Sequence, residues 1–187
     1  MRIVAGSARG RRLAVPAGTT TRPTSDRTRE AVFGRLDAWG AVSEAHVLDL
    51  YCGSGALGLE ALSRGAASAV GVEADRAAAR VAGDNARTLD LPLQVVHDRV
   101  QRWLDARRGR DDGLPGFDLV LLDPPYDVPE GTLGAVLAGV ADRCAPDAVV
   151  VVERSGRSPE PTWPEPLSPL EPRTYGETRV WFAERVA

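Results

Sequence analysis

Apolar residues change their spacing at residue 46. Upstream, short apolar tips alternate with polar, arginine-rich runs. Downstream, compact apolar runs alternate with stretches whose apolar positions recur every three or four residues. The first spacing fits strands buried on both faces and the second fits helices. Strands are predicted at His46 to Leu50, Ala69 to Glu73, Leu93 to His97, Phe117 to Leu122 and Ala148 to Val152. Helices are predicted at Ala56 to Ser63, Asp75 to Leu89, Val100 to Arg107 and Gly131 to Asp142. Such alternation implies an α/β fold, a mostly parallel sheet with helices on both faces. Arg107 to Gly116 reads as a loop. Six prolines in 157–172 are expected to break regular structure at most positions. A strand, a turn at Tyr175-Gly176 and a second strand ending near Phe182 predict an antiparallel hairpin that closes the sheet edge.

The N-terminal portion reads differently. Two apolar-tipped runs in residues 1–15 flank Gly6 to Gly10 and predict a β-hairpin, with Arg9, Arg11 and Arg12 at its tip and second strand. Thr24 or Ser25 is a helix cap, Asp26 sits in the first turn, and Val32, Phe33 and Leu36 form an apolar face. Gly40 is the expected stop. One domain with a small appendage follows: residues 1–21 as the hairpin arm and residues 22–187 as the main domain.

Composition alters this picture in one respect. The 187 residues contain no lysine, so all 23 basic residues are Arg, against 26 acids. Residues 1–40 carry eight Arg and three acids, a net of +5, so the rest of the chain carries −8 to give the total of −3. A basic arm on an acidic body suits a polyanion such as RNA, and Arg22 and Arg27 add to that side. A solvated hairpin without a partner is the plainer alternative. No apolar run is long enough to span a membrane, and the first residues lack an apolar signal core, so a cytoplasmic protein is expected. Cys52 and Cys144 lack metal-type spacing and read as reduced, buried residues. His46 and His97 flank strands, and no metal site is expected.

Candidate chemistry gathers at the strand ends. Val47-Leu48-Asp49-Leu50-Tyr51-Cys52-Gly53-Ser54-Gly55-Ala56-Leu57-Gly58 is a strand, a glycine turn and a helix. Gly53 and Gly55 allow a sharp turn and close approach of a ligand. The spacing also matches a dinucleotide fingerprint, with Glu73 20 residues after Gly53. Asp49 would face a pyrophosphate unfavourably but would welcome a cation. S-adenosylmethionine carries an ammonium, a sulfonium, a ribose and an adenine and has no phosphate. Asp49 for the ammonium, Glu73 for the ribose hydroxyls and Asp98 for the adenine amine make a consistent acceptor set, with Arg99 beside Asp98.

Asp123-Pro124-Pro125-Tyr126 ends the strand Phe117 to Leu122. The prolines cannot continue a ladder and hold an extended turn. It presents a carboxylate, a backbone carbonyl and a ring, which suits a planar base bearing an exocyclic amine. Asp123 and the Pro124 carbonyl would each accept one N–H, and Tyr126 would stack on the base, with Pro125 on the substrate side. This fits adenine or guanine, in DNA or RNA. A dinucleotide-dependent oxidoreductase and a non-catalytic RNA-binding module are the readings from other classes.

These residues together resemble the bacterial 16S rRNA guanine-N2 methyltransferase family. Asp-Pro-Pro-Tyr and the glycine turn are similar to S-adenosylmethionine-dependent amino-methyltransferases. Met-Arg-Ile-Val-Ala-Gly, Arg-Gly-Arg-Arg-Leu and Arg22-Pro23-Thr24-Ser25-Asp26-Arg27-Thr28-Arg29-Glu30 narrow the likeness to the ribosomal RNA enzymes, over nearly the whole chain. Tyr51-Cys52 stands where the family usually has Phe-Ala, and Ser7-Ala8 where larger or basic residues are common. The resemblance implies a Rossmann-like class I methyltransferase fold whose mostly parallel seven-stranded sheet ends in the antiparallel hairpin. It implies an RNA-touching N-terminal hairpin and a guanine substrate in the small ribosomal subunit or its assembly intermediate. A monomer is expected, since no heptad or exposed apolar stripe is evident.

Overall fold

The computed structural model describes residues 1–16, 26–109, 113 and 116–186. Arg22 and the Thr24/Ser25 cap lie outside the described residues. Seven strands are present among the described residues: β1 (His46–Leu50), β2 (Ser68–Glu73), β3 (Leu93–His97), β4 (Phe117–Leu122), β5 (Cys144–Ser155), β6 (Leu167–Tyr175) and β7 (Thr178–Arg185). The helices are α1 (Asp26–Ala38), α2 (Ala56–Ser63), α3 (Arg76–Leu89), α4 (Val100–Asp105) and α5 (Glu130–Ala141). One sheet runs β3-β2-β1-β4-β5-β7-β6. Its first five members are parallel, and β7 is antiparallel to both β5 and β6.

Both faces of this sheet are buried, so its strands are apolar at nearly every position. Val47, Leu119, Leu121, Val149 and Val151 point to the side that holds Phe33, Leu36, Leu59 and Leu62 of α1 and α2. Leu48, Leu50, Val120, Leu122, Val150 and Val152 point to the side that holds Trp103 of α4 and Val136 and Leu137 of α5. The helices stop and start on local signals. Asp75 caps α3 by accepting the Ala78 N–H at 2.8 Å. After α1, Gly40 takes φ +70° while the Ala41 N–H bonds the Leu36 carbonyl, a left-handed C-terminal cap.

Two elements depart from the sequence expectation. β5 begins at Cys144 rather than Ala148, and the irregularity this introduces is absorbed by a register shift between Phe117 and Leu119 and by φ +60° at Asp147. β6 runs through Pro169 and Pro172, inside the tract expected to be irregular. It is the last strand of the sheet, where a missing N–H need not break a ladder, and its register shifts between Leu170 and Arg173.

The N-terminal hairpin closes through a single bridge, Arg2 to Arg12. The Ile3, Gly10 and Leu13 amides bond across the hairpin, and others are taken up by α2. Val4 and Ala5 donate to the Glu60 carboxylate of α2 at 2.8 and 3.0 Å, and Ala8 donates to Ser63 Oγ at 3.0 Å. Ile3, Ala8 and Leu13 are buried in the core. Gly6, at φ +81°, lies so close to α2 that a Cβ would stand 1.7 Å from the Ser63 carbonyl oxygen. Glu60 is fully buried and also meets Arg64 Nε at 2.7 Å and buried Arg29 Nε at 3.5 Å. Replacing Glu60 with Ala leaves buried Arg29 with Asp26 as its carboxylate partner, at 2.8 Å, and deprives Arg64 Nε and two backbone donors of their acceptor. Urea denaturation of Glu60→Ala is expected to show a loss of about 3–5 kcal/mol; a loss under about 1 kcal/mol would show that this network does not anchor the segment.

Candidate active site

In the strand order the direction of winding reverses between β1 and β4, and ligands of open α/β sheets sit beyond the carboxyl ends at that point. Registers fix which side chains converge there. Asp49 pairs with Leu121 on one side and Gly71 on the other. Counting in twos along each strand places Asp49, Glu73 and Asp123 on the same sheet face. All three acids therefore meet at one edge, and Asp49 feels the charges of both others.

Asp49 occupies what would otherwise be a core position and is 1% exposed. Its Oδ2 accepts the Gly58 N–H at 2.8 Å. A Cβ at Gly58 would lie 3.2 Å from that same oxygen, so the third glycine of the turn lets α2 approach the strand. Its Oδ1 is buried and has no hydrogen-bond partner among the described residues. Burial chiefly, then the charges of Asp123 and Glu73, push this carboxyl up to about 7 against the pull of Gly58. An orphaned acceptor among three acids is a fit for a cationic group.

The glycine turn is shaped by backbone need. Gly53 has φ +54°, and a Cβ there would meet nothing within 4 Å. Gly55 has φ +80°, and a Cβ would come within 2.8 Å of Leu93 Cδ2. Glu73 braces the turn: Oε2 accepts the Gly53 N–H and Oε1 the Asp75 N–H, both at 2.8 Å. Each oxygen keeps a lone pair with which it can accept a hydroxyl. Asp98 is half-buried after β3; its Oδ1 accepts the Arg99 N–H at 2.8 Å and faces Arg102 Nε at 3.5 Å. Arg99 is the exposed N-cap of α4.

Asp123 is half-buried at the end of β4, its N–H 3.4 Å from the Leu50 carbonyl. Pro124 is buried, Pro125 exposed, and Tyr126 is 50% exposed. The Pro125 carbonyl accepts the Val128 N–H at 3.1 Å, whereas the Pro124 carbonyl accepts no hydrogen bond among the described residues. Buried Arg154, on β5, reaches across to the turn and bonds the Val128 carbonyl at 3.0 Å and Glu130 Oε1 at 2.6 Å. It fixes the loop after Tyr126, a role its place at the end of an apolar run does not announce.

Tyr51 and Asn85 are the other participants that sequence reasoning passed over. Tyr51 holds φ +61°, an uncommon conformation for a non-glycine residue, directly between Asp49 and the glycine turn. Asn85 of α3 donates to the carbonyls of Ser54 and Ala14 and accepts the Ala14 N–H, joining the glycine turn to the N-terminal segment. Of the arm's cations, Arg9 and Arg12 are exposed and Arg11 Nη2 bonds the Thr88 carbonyl of α3 at 2.8 Å; Arg27, on α1, is also exposed. Among the described residues no His, Cys, Asp and Glu gather as a metal site.

A seven-stranded sheet in this order, with its penultimate member reversed and an acid-lined glycine turn at the switch point, is the fold of the class I S-adenosylmethionine-dependent methyltransferases. Comparison with known proteins narrows the class. The chain belongs to the family described as conserved hypothetical protein 95, matched over residues 1–184. It is 35% identical over 190 aligned positions to ribosomal RNA small subunit methyltransferase D of Escherichia coli, covering 100% of this chain and 91% of that one. The protein of the same name from Haemophilus influenzae is 34% identical, with 94% and 89% covered. A solved structure of a hypothetical protein from Thermus thermophilus superposes with a TM-score of 0.83 at 33% identity, over 98% of this chain and 99% of that one.

Proposed function

We propose that this protein transfers a methyl group from S-adenosylmethionine to the exocyclic N2 amine of a guanine in small-subunit ribosomal RNA, within an assembled or assembling subunit. The single observation that carries this reading is the meeting, at the β1–β4 edge, of Asp49, with its orphaned oxygen, and the Asp-Pro-Pro-Tyr turn, with its open Pro124 carbonyl. The names of the full-length relatives supply the ribosomal RNA. The guanine comes from the family resemblance.

S-adenosylmethionine supplies an electrophilic methyl group on sulfur. Asp49 holds its ammonium, Glu73 its ribose hydroxyls and Asp98 its adenine amine, with Gly53 and Gly55 giving the backbone close approach and Arg99 alongside. A base amine is a poor nucleophile because its lone pair is delocalised into the ring. Asp123 and the Pro124 carbonyl each accept one N–H, which turns that lone pair toward the methyl and stabilises positive charge as it develops on nitrogen. Tyr126 stacks on the base, which leaves its helix or loop to reach the site, and Pro125 lines its path. Arg9, Arg11, Arg12, Arg22 and Arg27 meet RNA phosphates. Among the described residues no helix is long and apolar enough to cross a membrane, and the reading is of a monomer working in the cytoplasm beside its substrate.

Nucleoside mass analysis after reaction with ribosomal particles from cells lacking the gene tests this. One new N2-methylguanine in 16S rRNA is the expected product. Methyladenine, or methylation of duplex DNA in preference to the particle, would overturn the assignment.

A further inference from the structure

Two strands out from β1, α3 and the outermost strand β3 line a groove of about 680 Å³. One helix face lines it. Arg76, Arg80, Gly83 and Arg87 recur at spacings of four, three and four residues, so they form one row on the helix. Leu93, Val95 and His97 of β3 form the opposite wall, and Leu91 and Pro92 close one end. All three arginines are exposed. Arg76 and Arg80 have no ion-pair partner among the described residues, and Arg87 pairs with Asp84 on its own helix. Asp90 is the one acid of the lining.

This concentration of charge runs against the rest of the body, which is net acidic after residue 40. An N-terminal arginine also reaches the helix that lines the groove. Arg11 is bonded to the carbonyl of Thr88, the residue after Arg87, so the arm's basic side abuts the lower end of the row. Gly83 keeps the trough open: a Cβ there would meet only Arg87 Nη1, at 3.7 Å. Among the described residues β3 has a strand partner on one side only, which leaves its outer backbone edge to phosphate and hydroxyl groups.

We propose that this groove is a second docking surface for ribosomal RNA, where the α3 arginines carry the phosphate backbone of a segment flanking the target and extend the track begun by the N-terminal arm. Its occupant rests on the function proposed above; its location and charge do not.

Two variants test it, Arg76→Gln/Arg80→Gln and Gly83→Glu. The second places a carboxylate in the trough at a helix position where Glu is more favourable than Gly, so its melting temperature should equal or exceed that of wild type. Both should raise KM for the ribosomal particle about fivefold or more at low salt, with kcat and S-adenosylhomocysteine affinity unchanged. The double variant should flatten the slope of log(kcat/KM) against log[salt] by about 1.5, the equivalent of two phosphate contacts. Wild-type KM and slope in both variants, with wild-type protein methylating the particle normally, would overturn the docking surface and leave the proposed function standing. Failure of wild-type protein to methylate the particle at all would remove both.

Discussion

Asp123→Ala is expected to slow methyl transfer to the ribosomal particle about a thousandfold, equivalent to about 4 kcal/mol of transition-state stabilisation. The size follows from placement. Asp123 is one of two acceptors at the turn, and the other, the Pro124 carbonyl, is held by a proline pair that a substitution at residue 123 leaves in place. Only the charged acceptor is lost, and a charged acceptor is worth about twice a neutral one. Asp123→Asn keeps a neutral oxygen and should therefore fall between, at about 10- to 100-fold below wild type. Cofactor affinity should hold in both variants. It should even tighten slightly near pH 6, because the Asp123 charge is among the influences that raise the Asp49 carboxyl, and removing it lets Asp49 ionise more readily. Single-turnover rates and calorimetric titration with S-adenosylhomocysteine on the same preparations separate the two effects. Transfer at the wild-type rate in Asp123→Ala would end the amine-holding role. A parallel loss of S-adenosylhomocysteine affinity would move Asp123 from the substrate to the cofactor.

Which features are legible in the sequence, and which are not, comes down to the range of the interactions. The parallel strands are legible because burial on both faces leaves compact apolar runs bounded by acids, glycines and prolines. The acids at their ends, Asp49, Glu73, Asp98 and Asp123, stand out against those runs for the same reason. The features hidden from the sequence depend on partners distant in the chain. Glu60 looks like a solvated acid on a short helix, yet it is the buried acceptor for Val4, 56 residues away. Arg154 follows Glu153 at a strand end and would pass for surface charge, yet it is buried and ties down the loop beyond Tyr126. The prolines of β6 signal a break by local rules and are tolerated because that strand lies at the sheet's margin. The Val4, Ala5 and Ala8 amides find acceptors on α2, which ties a hairpin legible as two strands to the main domain.

Asp49→Asn should show opposite effects on stability and on binding. In the folded protein the Asp49 carboxyl lies at about 7, against 3.8 for an unperturbed aspartate. A raised carboxyl means that the native state holds the proton more tightly than the unfolded chain. The contribution of Asp49 to stability is therefore greatest below about pH 4, declines as pH rises from about 4 to 7, and is level above that. Across that window the loss amounts to about 4 kcal/mol at pH 8. Asn imitates the protonated carboxyl, and its amide oxygen can still accept the Gly58 N–H. The variant should unfold at higher urea than wild type at about pH 8, with the advantage vanishing near pH 4. On the proposed function the same substitution removes the anion assigned to the cofactor's ammonium, and S-adenosylhomocysteine should bind at least about a hundredfold more weakly. On that assignment, binding in wild type requires the ionised carboxylate. Affinity should therefore rise about tenfold per pH unit as pH climbs toward about 7 and flatten above it, with a proton released near pH 6 that calorimetry in buffers of different ionisation enthalpy detects. Affinity that is flat with pH, or retained in Asp49→Asn, would mean that the orphaned oxygen is not the ammonium's partner.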